Sequence, residues 1–247
     1  MHDPMIEVGL RLRSAKQVVV FTGAGVSAES GVPTFRDAQT GLWAQFKAEE
    51  LATPEAFQAN PKRVWEWYAW RRELVGKALP NPAHRAIAEI ERHVSEFTLV
   101  TQNVDGLHQR AGSQRVIELH GNIRRVKCFE EGVVVEHWQE TGEVPPRCPA
   151  CGAWLRPDVV WFGEALPDGA FEAAVAAAEA CDLCFSIGTA AAVYPAASLP
   201  AMAKAAGAFV VEIDPNRTAL SGVVDACLPG PAGTVLPAVV RAAWPES

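Results

Sequence analysis

Gln17-Val18-Val19-Val20-Phe21-Thr22-Gly23-Ala24-Gly25-Val26-Ser27-Ala28-Glu29-Ser30-Gly31 decides the fold. An unbroken apolar run ending in a glycine-rich turn is the pattern of a buried parallel strand, which is covered on both faces and needs no polar alternation. Glycines in such a turn let backbone amides approach an anion, and a following helix adds its N-terminal dipole. The stretch is not G-x-G-x-x-G, because Ala28 fills the last position, and no Walker lysine follows. A serine-hydrolase elbow, G-x-S-x-G, is disfavoured because Glu29 occupies the place of its last glycine. Alone, the loop indicates either a nucleotide or a structural turn.

Working outward, Phe97-Thr98-Leu99-Val100-Thr101 repeats the format. So do Leu183-Cys184-Phe185-Ser186-Ile187 before Gly188, and Phe209-Val210-Val211-Glu212-Ile213 before Asp214. Helical patterns over 82–94, 169–180 and 197–206 lie between these runs. The alternation predicts an α/β fold with a doubly wound, Rossmann-like parallel sheet, whose ligands bind beyond the carboxyl ends of the strands. Two segments break it. Residues 43–79 are helical in pattern and carry Trp65, Trp67, Tyr68 and Trp70; residues 123–156 hold Cys128, Cys148 and Cys151 among glycines and prolines. The expected division is a large domain of 1–42, 80–122 and 157–247. A helical insert (43–79) and a zinc-ribbon-like insert (123–156) form a smaller lobe.

The chain has 247 residues, 22 basic against 29 acidic, for a net charge of −7 and 49% hydrophobic content. That composition is globular and excludes disorder or collagen. The acidic balance argues against holding nucleic acid by bulk charge, including as a zinc-ribbon nucleic-acid module. Leu183 to Ala203 carries no charge, but Gly188, Pro195 and Pro200 interrupt it, so it reads as strand, loop and helix start rather than a membrane span. The N-terminus lacks a basic region followed by an apolar one, so cytoplasmic is the expected location and the 6 cysteines are expected to be reduced thiols or metal ligands.

Past the strand ends come Val32-Pro33-Thr34-Phe35-Arg36-Asp37, Thr101-Gln102-Asn103-Val104-Asp105-Gly106-Leu107-His108 and Glu118-Leu119-His120-Gly121-Asn122. With Val159-Val160-Trp161-Phe162-Gly163-Glu164 and Gly188-Thr189-Ala190, these motifs resemble the sirtuins, the NAD-dependent protein-lysine deacylases. The match runs in order from about residue 17 to 235. The resemblance implies that NAD is a consumed co-substrate on the large lobe and that an acyl-lysine of a protein or peptide enters between the lobes. It implies that His120 is the general base, with Asn103 and Asp105 in the catalytic set. Gly23, Ala24, Gly25, Phe35, Arg36, Trp43 and Gln102 would border the NAD loop and its nicotinamide ribose. Gly188, Thr189, Ala190, Asp214, Asn216 and Ala232 would meet the adenosine half. Val160, Phe162, Gly163 and Glu164 would accept the substrate backbone as an added strand. The chemistry is sound on its own terms, since a histidine near its ordinary pKa of about 6.5 can deprotonate a hydroxyl at neutral pH. His2, His84, His93, His108 and His137 read as structural or surface residues, and Cys181, Cys184 and Cys227 as core thiols.

Tyr68 and Arg71 lie about 60° apart on one helical face, close enough to grip one group. Their spacing, with Ala48 upstream, resembles the sirtuin branch that removes succinyl and malonyl groups, in which tyrosine and arginine bind the acyl carboxylate and alanine leaves room. Spacing alone does not choose Arg71 over Arg72; the resemblance does. The same residues read without it suggest a snorkelling cation or an ion pair.

The metal pattern departs from the family's. Cys148-Pro149-Ala150-Cys151-Gly152 is a zinc-knuckle sequence, but its partner reads Cys128-Phe129-Glu130-Glu131-Gly132, with Glu131 where a cysteine belongs. Zinc held by Cys128, Cys148 and Cys151 with Glu131 or His137 as fourth ligand is one reading. Weak binding through three thiolates and water is another. The third is an empty site with the lobe held by Trp138 and Trp154. The expected function is acyl-lysine removal with an acidic-acyl preference; mono-ADP-ribosyl transfer and a non-catalytic NAD sensor are the alternatives.

Overall fold

The computed structural model describes residues 3–33, 46–139 and 141–245. Its strands are β1 (Gln17–Thr22), β2 (Glu96–Thr101), β3 (Val116–Glu118), β4 (Gly121–Cys128), β5 (Leu155–Val159), β6 (Leu183–Ile187), β7 (Phe209–Asp214) and β8 (Ala226–Pro229). Its helices are α1 (Pro4–Ser14), α2 (Gly25–Ala28), α3 (Ala48–Leu51), α4 (Pro54–Ala59), α5 (Pro61–Lys77), α6 (Pro82–His93), α7 (Leu107–Arg110), α8 (Ala170–Ala180), α9 (Leu199–Ala205) and α10 (Ala232–Ala243).

A 6-stranded sheet runs in the order β3-β2-β1-β6-β7-β8, every adjacent pair parallel. β1 is fully buried from Val18 onward, as its apolar run requires. One sheet face packs Val18, Val20, Leu99, Phe185 and Val211 against α1, α6 and α10. The other packs Val19, Phe21, Cys184 and Val210 against α8 and α9. Cys181 and Cys184 are core residues, as expected, and burial pushes the Cys181 thiol up to about 11. Cys227, expected to be a core thiol too, is exposed, because it lies on the edge strand β8 with its sulfur toward Glu212 and the Ser221 carbonyl. The order reverses between β1 and β6, which is the switch point where a doubly wound sheet opens a crevice for ligand.

The uncharged stretch from Leu183 resolves as β6, a loop, a short 3-10 turn and α9. Among the described residues no helix is long and apolar enough to cross a membrane.

The elements of residues 46–79 pack on β4, β5 and the segment that follows β5. Leu51, Phe57, Val64, Trp67, Tyr68 and Val75 from α3 to α5 meet Ile123, Val159 and Trp161 in one cluster. β4 and β5 form an antiparallel pair, under which Val126, Cys128, Cys148 and Leu155 gather with Trp65, Val135 and Trp138. α5 forms because Asn60 caps it, accepting from the Arg63 amide, and Pro61 opens its first turn.

Candidate active site

The loops after β1 and β6 cross in backbone contact. The Gly25 amide donates to the Gly188 carbonyl at 2.8 Å, and the Gly23 amide to the Ile187 carbonyl at 3.1 Å. A Cβ at Gly25 would stand 2.8 Å from Gly188 Cα; one at Gly188, whose φ is +58, would stand 2.4 Å from the Val26 amide nitrogen. Glycine is therefore required at both positions for the loops to meet.

Residues after β2 lock onto this crossing. The Asn103 amide group donates to the Gly23 carbonyl at 3.0 Å and to Ser27 Oγ at 3.1 Å. Ser27 Oγ donates to Asp105 at 2.8 Å, and the other Asp105 oxygen accepts from the Leu107 amide at 2.8 Å. Burial pushes the Asp105 carboxyl above its ordinary range, against the pull of those two donors. Gln102 donates from its side chain to Thr189 Oγ1 at 3.3 Å, bridging the loops after β2 and β6.

His120 stands at the junction of β3 and β4. Its Nδ1 lies 3.0 Å from the Gln102 carbonyl oxygen, an acceptor only, so Nδ1 carries the hydrogen. In the neutral ring that leaves the Nε2 lone pair as the base. Burial lowers the His120 pKa, and the Gln102 bond opposes this in part. Gln102, Asn103, Asp105 and His120 are thus brought together with Gly23, Gly25, Gly188 and Thr189, within one bonded set at the switch point.

The residues expected on the adenosine side sit farther along the carboxyl edge of the sheet. Asp214, Asn216, Arg217 and Ser221 line a cleft of about 260 Å³ with Glu212 and Cys227. Burial raises the Asp214 carboxyl, which also accepts from the Asn216 amide at 2.9 Å. Ala232 begins α10 and is buried. The next amide, Gly233, donates to Glu29 at 2.6 Å, so Glu29 ties the first loop to the start of α10. Ala24 is exposed beside these bonds, as is Ala190. Phe35, Arg36 and Trp43 lie outside the described residues. So does the side chain of Ala48, whose backbone opens α3.

Tyr68 is 1% exposed, and its hydroxyl accepts from Trp161 Nε1 at 2.9 Å. Burial pushes its pKa above the usual phenol value, with the Arg71 charge pulling the other way. Arg71 also lies over the Trp67 ring, 5.3 Å from its centroid. Arg72 is occupied elsewhere: its Nε donates to the Ile123 carbonyl at 3.0 Å and its guanidinium lies over Trp65.

The segment 159–164 is a strand only as far as Val159. The amides of Val160 and Phe162 donate to the His120 and Ala52 carbonyls, each at 3.0 Å, and Gly163 turns the chain with φ +87. The Trp161 amide donates to Glu164 at 2.8 Å. The segment is therefore a stitched turn joining β5, α3 and His120 rather than a bare strand edge.

Cys128, Cys148 and Cys151 place their sulfurs within 4.8 Å of one another. Three soft sulfur donors at this spacing fit a tetrahedral zinc at about 2.3 Å. Backbone amides of Cys151 and Ala150 favour the Cys148 thiolate. Neither Glu131 nor His137 joins that group among the described residues.

Sequence reasoning missed Ser27, which holds both Asn103 and Asp105, and the buried pair beneath it. The His84 and His108 rings lie 4.8 Å apart, tilted by 55°, and His108 Nε2 reaches Thr22 Oγ1 at 3.0 Å. Their structural reading stands, but they support the floor of the site. Only the recurrence of small hydroxyl residues at strand ends could have signalled it.

Comparison with known proteins agrees with this arrangement. The family model described as Sir2 family matches residues 23–195. The NAD-dependent protein deacylase 2 of Pyrobaculum aerophilum is 54% identical over 230 residues, covering 93% of this chain and 92% of its own. A solved Sir2 homologue in complex with NAD is 47% identical with a TM-score of 0.87, covering 95% of this chain and 92% of its own. A mutant Sir2 homologue in complex with 2'-O-acetyl ADP ribose is 46% identical with a TM-score of 0.88, covering 98% and 96%.

Proposed function

The chain belongs to the Sir2 family, and from that membership we propose that it removes acyl groups from protein lysines at the expense of NAD, preferring succinyl and malonyl over acetyl. In this reading NAD is the co-substrate and lies over the crossing of the loops after β1 and β6. The acyl oxygen attacks the nicotinamide ribose carbon, and the bond to nicotinamide breaks. His120 Nε2 takes the proton from a ribose hydroxyl, which adds to the acyl carbon. Water completes the cleavage, so the products are nicotinamide, free lysine and 2′-O-acyl-ADP-ribose. Asn103 and Asp105 hold the ribose side of the site, and Gln102 orients His120 through its carbonyl.

The single observation that carries the base assignment is the His120 Nδ1 contact to the Gln102 carbonyl at 3.0 Å. It commits the ring to the tautomer with a basic Nε2, which a pure NAD sensor would not need. The division into a large domain and a lobe of 43–79 with 123–156 remains our reading, supported by the shared apolar cluster of the two inserts, which extends to Val159 and Trp161. The lysine-bearing peptide would lie along the backbone of Val160, Phe162, Gly163 and Glu164, using the polar edge their internal bonds leave. Zinc, when bound by Cys128, Cys148 and Cys151, would brace the small lobe and take no part in the reaction.

The acidic-acyl preference is supported by the position of Arg71 close enough for its charge to act on Tyr68, while Arg72 is committed to Ile123. A guanidinium is permanently charged and donates in parallel pairs to a carboxylate. A hydrogen bond to a charged group contributes roughly 1.5–3 kcal/mol, or about 10–150-fold in preference for succinyl. Replacement Arg71→Met tests this: the succinyl-to-acetyl ratio of kcat/KM should collapse by that factor, and an unchanged ratio contradicts it. Transfer of ADP-ribose onto a protein, in place of free acyl-ADP-ribose, would favour the transferase alternative.

A further inference from the structure

We propose that Trp161 is a positioning residue for acyl selectivity: its indole N–H occupies the Tyr68 oxygen and so leaves the Tyr68 hydroxyl hydrogen to donate to the acyl carboxylate. The inference rests on the acidic-acyl reading above.

The Trp161 Nε1 to Tyr68 Oη distance is 2.9 Å, and both side chains are buried, at 2% and 1% exposure. An indole N–H can only donate, so the phenol oxygen must accept, and its own hydrogen is left over. A carboxylate can only accept, which makes that hydrogen its complement. A hydroxyl that accepts one hydrogen bond is polarised into a better donor, by a modest margin. Without the indole, the phenol oxygen would be open to the neighbouring Arg71 guanidinium, and the two halves of the clamp would satisfy each other instead of the substrate.

Trp161 is itself held by its neighbours. The Arg156 guanidinium, 3% exposed, stacks on its ring with 3.2 Å to the centroid. Arg156 donates to both Glu164 oxygens and, at 2.7 Å, to the Val159 carbonyl. Glu164 in turn accepts from the Trp161 amide at 2.8 Å. Burial alone would raise the Glu164 carboxyl, but Arg156 and that amide hold it below its ordinary value. The ion pair thus holds Trp161 at one face of its ring and at its backbone amide, with the indole N–H directed to Tyr68. An acetyl group has no carboxylate to meet the clamp, so its turnover should not sense this bond.

The test measures kcat and KM on succinyl- and acetyl-lysine peptides for the parent protein, Trp161→Phe, Tyr68→Phe, the double variant and Arg71→Met. Trp161→Phe should raise succinyl KM by roughly 2–10-fold, the worth of one neutral hydrogen bond. Acetyl KM and both kcat values should stay within about twofold. In the Tyr68→Phe background, Trp161→Phe should add nothing, because its target hydroxyl is gone. Equal losses on both peptides, or additive effects in the double variant, would overturn the inference and make Trp161 merely structural. An unaltered ratio in Trp161→Phe beside a collapsed one in Arg71→Met sinks the Trp161 role alone. An unaltered ratio in Arg71→Met sinks the acidic-acyl reading and this inference with it. If Trp161→Phe does not fold, benzothienylalanine at position 161, which keeps the shape and lacks the N–H, gives the same comparison.

Discussion

His120 is neutral and oriented because two local facts agree: the Gln102 carbonyl fixes its Nδ1 hydrogen, and burial lowers its pKa. A base must be unprotonated, so a lowered pKa extends activity toward acid. The acid limb of kcat/KM should therefore fall below the ordinary histidine value of about 6.5; a midpoint above that contradicts the assignment. His120→Ala should reduce kcat by about 10²–10⁴-fold while NAD still binds, which calorimetry would register. The sequence made His120 visible through its neighbours, along with Asn103 and Asp105, because polar residues past strand ends have few structural excuses. It left Ser27, Arg156 and Trp161 unassigned. Ser27 sits inside a loop whose glycines draw the attention. The worth of Arg156 depends on Glu164 folding back across the Gly163 turn, which no residue pattern announces.

At the scale of elements, the site exists because two strand-end loops touch backbone to backbone. Gly188→Ala should disrupt both fold and NAD binding. Its positive φ costs an L-residue about 1–2 kcal/mol, and its Cβ would collide with the Val26 amide nitrogen at 2.4 Å. A higher KM for NAD with a lower Tm is expected; unchanged values would mean the loops are not in contact. The helix α6 and helix α7 histidines make a second prediction. Burial lowers His84 to about 4, and burial with the His84 charge lowers His108 to about 3. In the unfolded chain both titrate near 6.5, so their neutral burial costs nothing above that pH. Stability should drain as pH falls from about 6.5 toward 4 and then 3. A His108→Gln variant should flatten that part of the Tm profile, and an equally steep profile would contradict it. β1, β2, β6 and β7 were legible because each is an apolar run ended by a turn. β3 and β8 were not, being short and only partly buried, and Pro237 inside α10 masks its helical period.

Across the whole molecule, the alternation of strands and helices gave the sheet, while the interruptions coincide with α3 to α5 and the β4–β5 pair, which pack together. Their packing partners were illegible, because Trp67, Tyr68 and Phe57 meet β4, β5 and Trp161 only through the tertiary fold. The three-cysteine cluster predicts close to one zinc per chain in protein purified without chelator. Removing it should lower Tm more than it lowers kcat at saturating substrate, since Cys128 and Cys148 lie in the apolar cluster beneath β4 and β5, with Cys151 exposed at its edge; metal-free protein of equal Tm would contradict a bracing role. The central claim is tested most directly by mass spectrometry of one lysine peptide in succinyl and acetyl forms, each with and without NAD. The account predicts NAD-dependent loss of both groups, succinyl faster, with acyl-ADP-ribose appearing in step. Acetyl leaving faster would contradict the clamp, and no NAD-dependent loss of either group would contradict the deacylase itself.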